Sequence, residues 1–147
     1  MKKNILTFAY NLEKEAAALY ESMSHQVKDT FVAQVFRDLA QEEEKHAEQL
    51  QQCLARHTLL KIPEFPELNL FDTLDKPATL SPDMSLEEIM AYVIKMEEEA
   101  IILYGALENA SLLPEDREMY QNLKKMECAH KYRFERVLQD IDQWRKK

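Results

Sequence analysis

Four stretches of the chain place apolar residues three and four positions apart, the period of an α-helix with one buried face. The first runs from about residue 4 to 24, with Leu6, Ala9, Ala16, Tyr20 and Met23 on its stripe. The second runs from about 30 to 57, with Asp29 available as its N-cap and Phe36, Leu39, Leu50 and either Cys53 or Leu54 on the stripe. The third begins at Ser85, where Ser85-Leu86-Glu87-Glu88 has the spacing of a capping box, and runs to about Ala110. Pro114, followed by Glu115 and Asp116, suits the first turn of a fourth helix that continues to about Trp144. Its end, Arg145-Lys146-Lys147, carries the sign that a helix C-terminus favours.

This pattern predicts an all-α protein of one domain over 1–147, with a helix pair at 4–57, a linker at 58–84 and a second helix pair at 85–145. The linker holds Pro63, Pro66, Pro77 and Pro82, together with Phe65, Leu68, Leu70, Phe71 and Leu74. It is too apolar for a free tether. Its length suits a crossover along a four-helix bundle, because a 25-residue helix is roughly 37 Å long.

The two helix pairs repeat each other. An offset of 84 residues carries Glu13 onto Glu97, Tyr20 onto Tyr104, Glu43 onto Glu127 and His46 onto His130 without a gap. Ala16, Leu19, Leu39 and Leu54 likewise fall on Ala100, Leu103, Leu123 and Leu138. Two such pairs can pack about a pseudo-two-fold axis and bring equivalent residues together near it.

Charged residues interrupt each apolar stripe at the same place. The first helix reads Leu6, Ala9, Glu13, Ala16, Tyr20, Met23, and the third reads Met90, Val93, Glu97, Ala100, Tyr104, Leu107. In the second helix Glu43 and His46 lie between Leu39 and Leu50. In the fourth, Glu127 and His130 lie between Leu123 and Phe134, with Val137 or Leu138 after them. Burying four ionised carboxylates without compensation is very costly, and no arginine or lysine shares these stripes. Two divalent cations would supply the missing charge. Glutamate and histidine at i, i+3 point to one face, so each Glu-x-x-His pair can reach one metal pair. A glutamate from each of two helices plus Glu-x-x-His from each of the other two is a di-iron or di-manganese carboxylate arrangement.

Composition narrows the alternatives. The chain has a single glycine, Gly105, which excludes Gly-rich phosphate loops and suits long helices; its place after Tyr104 suggests close packing there. The formal charge is −8, so nucleic acid and anionic membranes are not expected partners. Cys53 and Cys128 form no CxxC pair, which argues against zinc ribbons, rubredoxin-type iron and thioredoxin chemistry. The N-terminus has no signal-peptide core, and no window is apolar enough to span a membrane. A cytoplasmic location with reduced thiols is expected.

Together the Glu/His constellation and the paired tyrosines resemble the rubrerythrin-type ferritin-like family, over both helix pairs. The resemblance implies a ferritin-like four-helix bundle with a long crossover between helices two and three. It implies two iron ions held by Glu13, Glu43, His46, Glu97, Glu127 and His130, with manganese or zinc as alternatives. Glu43 and Glu127 would bridge, and Tyr20 and Tyr104 would donate hydrogen bonds to the carboxylates. Two departures stand out. Classical rubrerythrins carry a rubredoxin domain with two CxxC pairs, absent here, so an external electron-donor protein is expected. They also carry an extra glutamate three residues after the third-helix ligand, where this chain has Ala100. The site expected is therefore a symmetric six-ligand one in a homodimer. Peroxide is the first expected substrate and dioxygen, as a ferroxidase, the second.

Plainer readings stand beside these. The Glu/His set could be a polar core layer, and Tyr20 and Tyr104 ordinary core aromatics. His25 and His57 read as surface residues, Cys53 and Cys128 as packing residues, and Met84, Met90, Met96, Met119 and Met126 as adaptable core filling. Of the acidic runs 42–44 and 97–99, only Glu43 and Glu97 should turn inward. A ferritin-like iron store, or a helical binding module with a structural metal, are the alternative functions; no fifth helix of the cage-ferritin sort is expected.

Overall fold

The computed structural model describes residues 5–56 and 84–145. They form four helices: α1 (Ile5–Gln26), α2 (Thr30–Arg56), α3 (Leu86–Ala110) and α4 (Pro114–Arg145). Each expected helix is present, with ends within about two residues of the expected ones. The linker 58–84 lies almost wholly outside the described residues, as do His57 and the last two lysines.

Local chemistry explains the helix ends. Asp29 Oδ1 accepts a hydrogen bond from the Val32 amide at 3.0 Å, capping α2. Ser85 Oγ accepts from the Glu88 amide at 3.1 Å, and Glu88 Oε1 accepts from the Ser85 amide at 3.2 Å, which completes the capping box of α3. Between α3 and α4 the Ser111 hydroxyl donates to the Leu107 carbonyl at 2.8 Å, and Arg117 donates to the Ser111 carbonyl at 2.9 Å. Carbonyls left over at the end of α3 are thereby satisfied.

The chain divides into two compact units, one holding α1 and α2 and the other α3 and α4. Three residues join the helices of each unit, so each pair is an antiparallel hairpin. In the first hairpin Leu6, Ala9, Ala16, Tyr20 and Met23 of α1 are all buried, as are Phe36, Leu39, Leu50 and Cys53 of α2. Cys53 takes the position left open between it and Leu54, which is only half-buried. The buried face of α2 is also wider than one stripe, taking in Val32, Val35, Ala40 and Ala47. The second hairpin repeats the arrangement. Met90, Val93, Tyr104 and Leu107 of α3 are buried with Leu123, Phe134 and Val137 of α4, and Leu138 is half-buried.

Two expectations about packing are corrected. Of the five methionines taken as core filling, Met90 is buried, while Met84, Met96, Met119 and Met126 are only half-buried, because they fall beside the stripes. Gly105 is not held to glycine by close approach. A Cβ built there would meet Lys124 Nζ at 3.6 Å, an ordinary contact with the end of a flexible side chain, and no glycine has positive φ. Glycine in mid-helix only costs conformational entropy. Gly105→Ala should therefore raise the unfolding free energy by about 1 kcal/mol, measured by urea denaturation; a loss of stability would show that position 105 is sterically closed.

Candidate metal centre

Each hairpin builds the same three-residue cluster. In the first, α1 supplies Glu13 and α2 supplies Glu43 and His46. In the second, α3 supplies Glu97 and α4 supplies Glu127 and His130. All six are buried, with exposures of 3% or less. The neighbours in the acidic runs are not. Glu44 and Glu98 are exposed, and Glu42 and Glu99 half-buried, so only Glu43 and Glu97 turn fully inward as expected. Partial burial raises the Glu99 carboxyl above its ordinary pKa.

The internal geometry of the two clusters matches. His46 Nδ1 lies 3.4 Å from Glu13 Oε2 and 3.9 Å from Glu43 Oε1. His130 Nδ1 lies 3.7 Å from Glu97 Oε2 and 4.0 Å from Glu127 Oε2. In each cluster the three ligand atoms lie within 4.8 Å of one another. These nitrogen–oxygen separations exceed a good hydrogen bond of about 2.7–3.2 Å. They match two donors that share one ion at about 2.1 Å each, which stand about 3–4 Å apart. The same ring nitrogen faces the carboxylates in both clusters.

Charge supports the fit. Each cluster buries two carboxylates and one imidazole. Lys14 pairs with Glu44 at 2.8 Å and Lys131 with Glu98 at 3.5 Å, both on outer faces. The hydrogen bond to Glu44 raises the Lys14 ammonium above its ordinary pKa. Two carboxylates and an imidazole with that spacing fit one divalent cation per hairpin.

The other singled-out residues fall as follows. Tyr20 and Tyr104 are buried, and the Tyr20 ring packs on Phe36 at a centroid distance of 5.8 Å. His25 is exposed and faces Glu21 at 3.2 Å, as a surface residue should. Cys53 is buried as expected. Cys128, read as a packing residue, is exposed instead. One residue along a helix turns the side chain about 100°, so the position after buried Glu127 points outward. Two residues of the buried α4 stripe were missed. Asp116 and Tyr120 are 6% and 4% exposed. They extend the α4 stripe by its own spacing, 116, 120, 123, 127, 130, so the periodicity that found Glu127 could have found them. Asp116 was read only as a helix-start residue.

A family model described as rubrerythrin matches residues 4–138. The chain belongs to the rubrerythrin family. Among curated proteins none matches significantly. Solved structures match over nearly the whole chain. A Thermotoga maritima protein described as ferritin-like and diiron-carboxylate is 21% identical, with 92% of each chain covered and a TM-score of 0.73. A hypothetical protein from Pyrococcus furiosus is 22% identical, covering 95% of this chain and 89% of that one, with a TM-score of 0.74. The fold of this rubrerythrin-family chain is thus the ferritin-like four-helix bundle. Among the described residues no helix is long and apolar enough to cross a membrane.

A cation that binds the folded state and not the unfolded chain stabilises the fold by mass action. Excess Co²⁺ or Fe²⁺ (the latter without air) should raise the thermal midpoint of metal-free protein, by about 2.7 kcal/mol of stability at a hundred times the dissociation constant. The shift should vanish when His46 and His130 are both changed to alanine. An equal shift in that variant would place the cation elsewhere.

Proposed function

We propose that this protein is a di-iron carboxylate redox protein that reduces hydrogen peroxide, with ferroxidase action on dioxygen as its nearest alternative activity. The observation that carries the reading is the duplicated, buried Glu/Glu/His set with matched internal spacing. Membership of the rubrerythrin family supports it. So does the likeness to a fold in which a diiron-carboxylate protein is described.

In this reading Glu13, Glu43 and His46 hold one iron, and Glu97, Glu127 and His130 hold the other. Glu43 and Glu127 would be the bridging candidates, as the resemblance implies. A pair of ferrous ions supplies the two electrons that cleavage of an O–O bond consumes. The protein does the rest. Burial of all six side chains excludes bulk water and strengthens the electrostatics of the site. His46 and His130 turn Nδ1 toward the carboxylates with which they would share a cation. A bridging carboxylate would tolerate changes in metal spacing, because it can bind through one oxygen or both. The hydroxyls of Tyr20 and Tyr104, buried seven residues along the same stripes from Glu13 and Glu97, donate to carboxylate oxygens and keep them oriented. An external protein donor returns the electrons, since no CxxC pair in this sequence provides an iron of its own for that step.

Protein purified without chelator should carry about two irons per chain, a count the two triads imply. Loaded anaerobically with ferrous iron, it should oxidise on addition of peroxide, followed by absorbance and by peroxide consumption. Glu127→Ala and His130→Ala should each lose metal loading and turnover together. A variant that kept two metals would remove Glu127 or His130 from the ligand set. An unchanged ferrous spectrum after peroxide would remove the redox reading and leave a structural metal site.

A further inference from the structure

The two hairpins match in their buried ligands but differ in the charge outside them. Around buried Glu127 and His130, α4 carries Lys124, Lys125, Lys131, Arg133 and Arg136. Glu135 is the one exposed acid between Lys124 and Arg136. The 84-residue offset puts Ala40, Gln41, Ala47, Gln49 and Gln52 of α2 at the five basic positions. It puts the exposed acids Glu44 and Glu48 at the places of Cys128 and Tyr132. The basic face of α4 thus stands out in a chain whose formal charge is −8.

Helix chemistry alone does not call for this cluster. Basic residues favour the last turn of a helix, and this stretch is the middle of α4. Lys131 meets Glu98 at 3.5 Å, which accounts for one of the five. Lys124, Cys128, Tyr132 and Arg136 stand four apart and form one row along the helix, about 18 Å long, with Lys125 and Lys131 flanking it. Cys128 and Ala129 are exposed within it, and the Tyr132 ring is 61% exposed. Arg136 Nη1 donates to the Tyr132 hydroxyl at 3.5 Å. Exposed tyrosine and arginine are residues on which protein partners anchor.

The row also lies directly outside the ligand layer. Cys128 and Ala129 stand between Glu127 and His130 in the chain and point outward where those two point in. A helix with its side chains is about 10–12 Å across. A partner seated on the row would be about that far from the ligand side chains, a short path for an electron through protein.

We propose that the outer face of α4 around Cys128 and Tyr132 is the docking surface of the external electron donor, and that this donor is a small acidic protein carrying an iron–sulfur cluster. The inference rests on the redox reading above and adds where electrons enter and what surface charge guides them. Two reduced carriers, each oxidised by one electron, restore the two electrons that O–O cleavage consumes. Opposite charge steers the encounter, and Tyr132 with Ala129 makes the close contact. A long polyanion such as nucleic acid meets the net charge of −8, whereas a compact acidic protein meets only the local face.

The test uses the iron-loaded full chain and an acidic [2Fe–2S] ferredoxin as probe. Lys125→Gln with Arg136→Gln copies Gln41 and Gln52 of α2. Gln41→Glu with Gln52→Glu changes the net charge by the same amount on the other hairpin. At low ionic strength the α4 pair should slow electron transfer from reduced ferredoxin about tenfold or more and flatten its salt dependence. Binding of oxidised ferredoxin, followed by calorimetry, should weaken by a similar factor. The α2 pair should stay within about twofold of wild type in both measurements. Dithionite, which needs no docking face, should reduce all three proteins alike at high salt. Equal losses in the two pairs, or none in the α4 pair, would overturn the docking surface while the dithionite reaction leaves the redox reading standing. Tighter binding of a single-stranded DNA 20-mer than of ferredoxin, lost in the α4 pair, would overturn the proposal in favour of nucleic acid. Iron-loaded protein that takes no electrons from dithionite would overturn the redox reading itself.

Discussion

Four glutamates on the core-facing stripes of four helices are the constraint on which everything else in this protein depends. Each lies where a leucine would pack, and each is as well buried as the leucines around it. An ionised carboxylate withdrawn from water needs a compensating charge, and Lys14 and Lys131 are spent on the outer-face carboxylates Glu44 and Glu98. The two imidazoles cannot balance four carboxylates by themselves. A divalent cation in each hairpin would remove the conflict, which makes the feature most hostile to folding the candidate metal centre. Coupling of this kind ties stability to metal content, as in other small metalloproteins.

Length and straightness of the helices follow from the same demand. Presenting a glutamate from one helix and a Glu-x-x-His pair from its neighbour at matched height needs two rigid rods in fixed register. Each hairpin achieves that with a three-residue turn and hydrogen-bonded ends, Asp29 capping α2 and Ser85 with Glu88 capping α3. Apolar residues above and below the ligand layer hold the register. A slip of one residue would turn Glu43 or Glu127 about 100° out of the core, as the exposed position of Cys128 shows. The glycine scarcity fits this account through helix propensity alone. Gly105 itself is tolerated in α3 and answers no steric need.

Duplication explains why two clusters match, and the departures from it show where the halves diverged. The ligands, the tyrosines and the ring nitrogen facing the carboxylates are common to both. Ala16 is buried whereas its counterpart Ala100 is half-buried, and Val32 and Phe36 correspond to Asp116 and Tyr120. Purely structural drift in a core rarely exchanges a valine for an aspartate, because an unsatisfied buried acid is expensive.

The sequence by itself determined the four helices, their ends and the six inward-facing polar residues. All of these are consequences of short-range rules: a 3.6-residue period, side-chain capping, and the three-residue step that aligns glutamate with histidine. Tertiary structure alone decided matters that depend on what lies across from a residue. Cys53 and not Leu54, and Val137 and not Leu138, take the fully buried positions, because the period leaves adjacent positions equally eligible and the opposing helix selects one. Cys128 went outward where packing was expected, and Asp116 and Tyr120 went inward where only a helix start was read. Periodicity states which residues share a face. How wide that face is, and which nitrogen of each imidazole meets the carboxylates, follows from the neighbouring helix that closes over it.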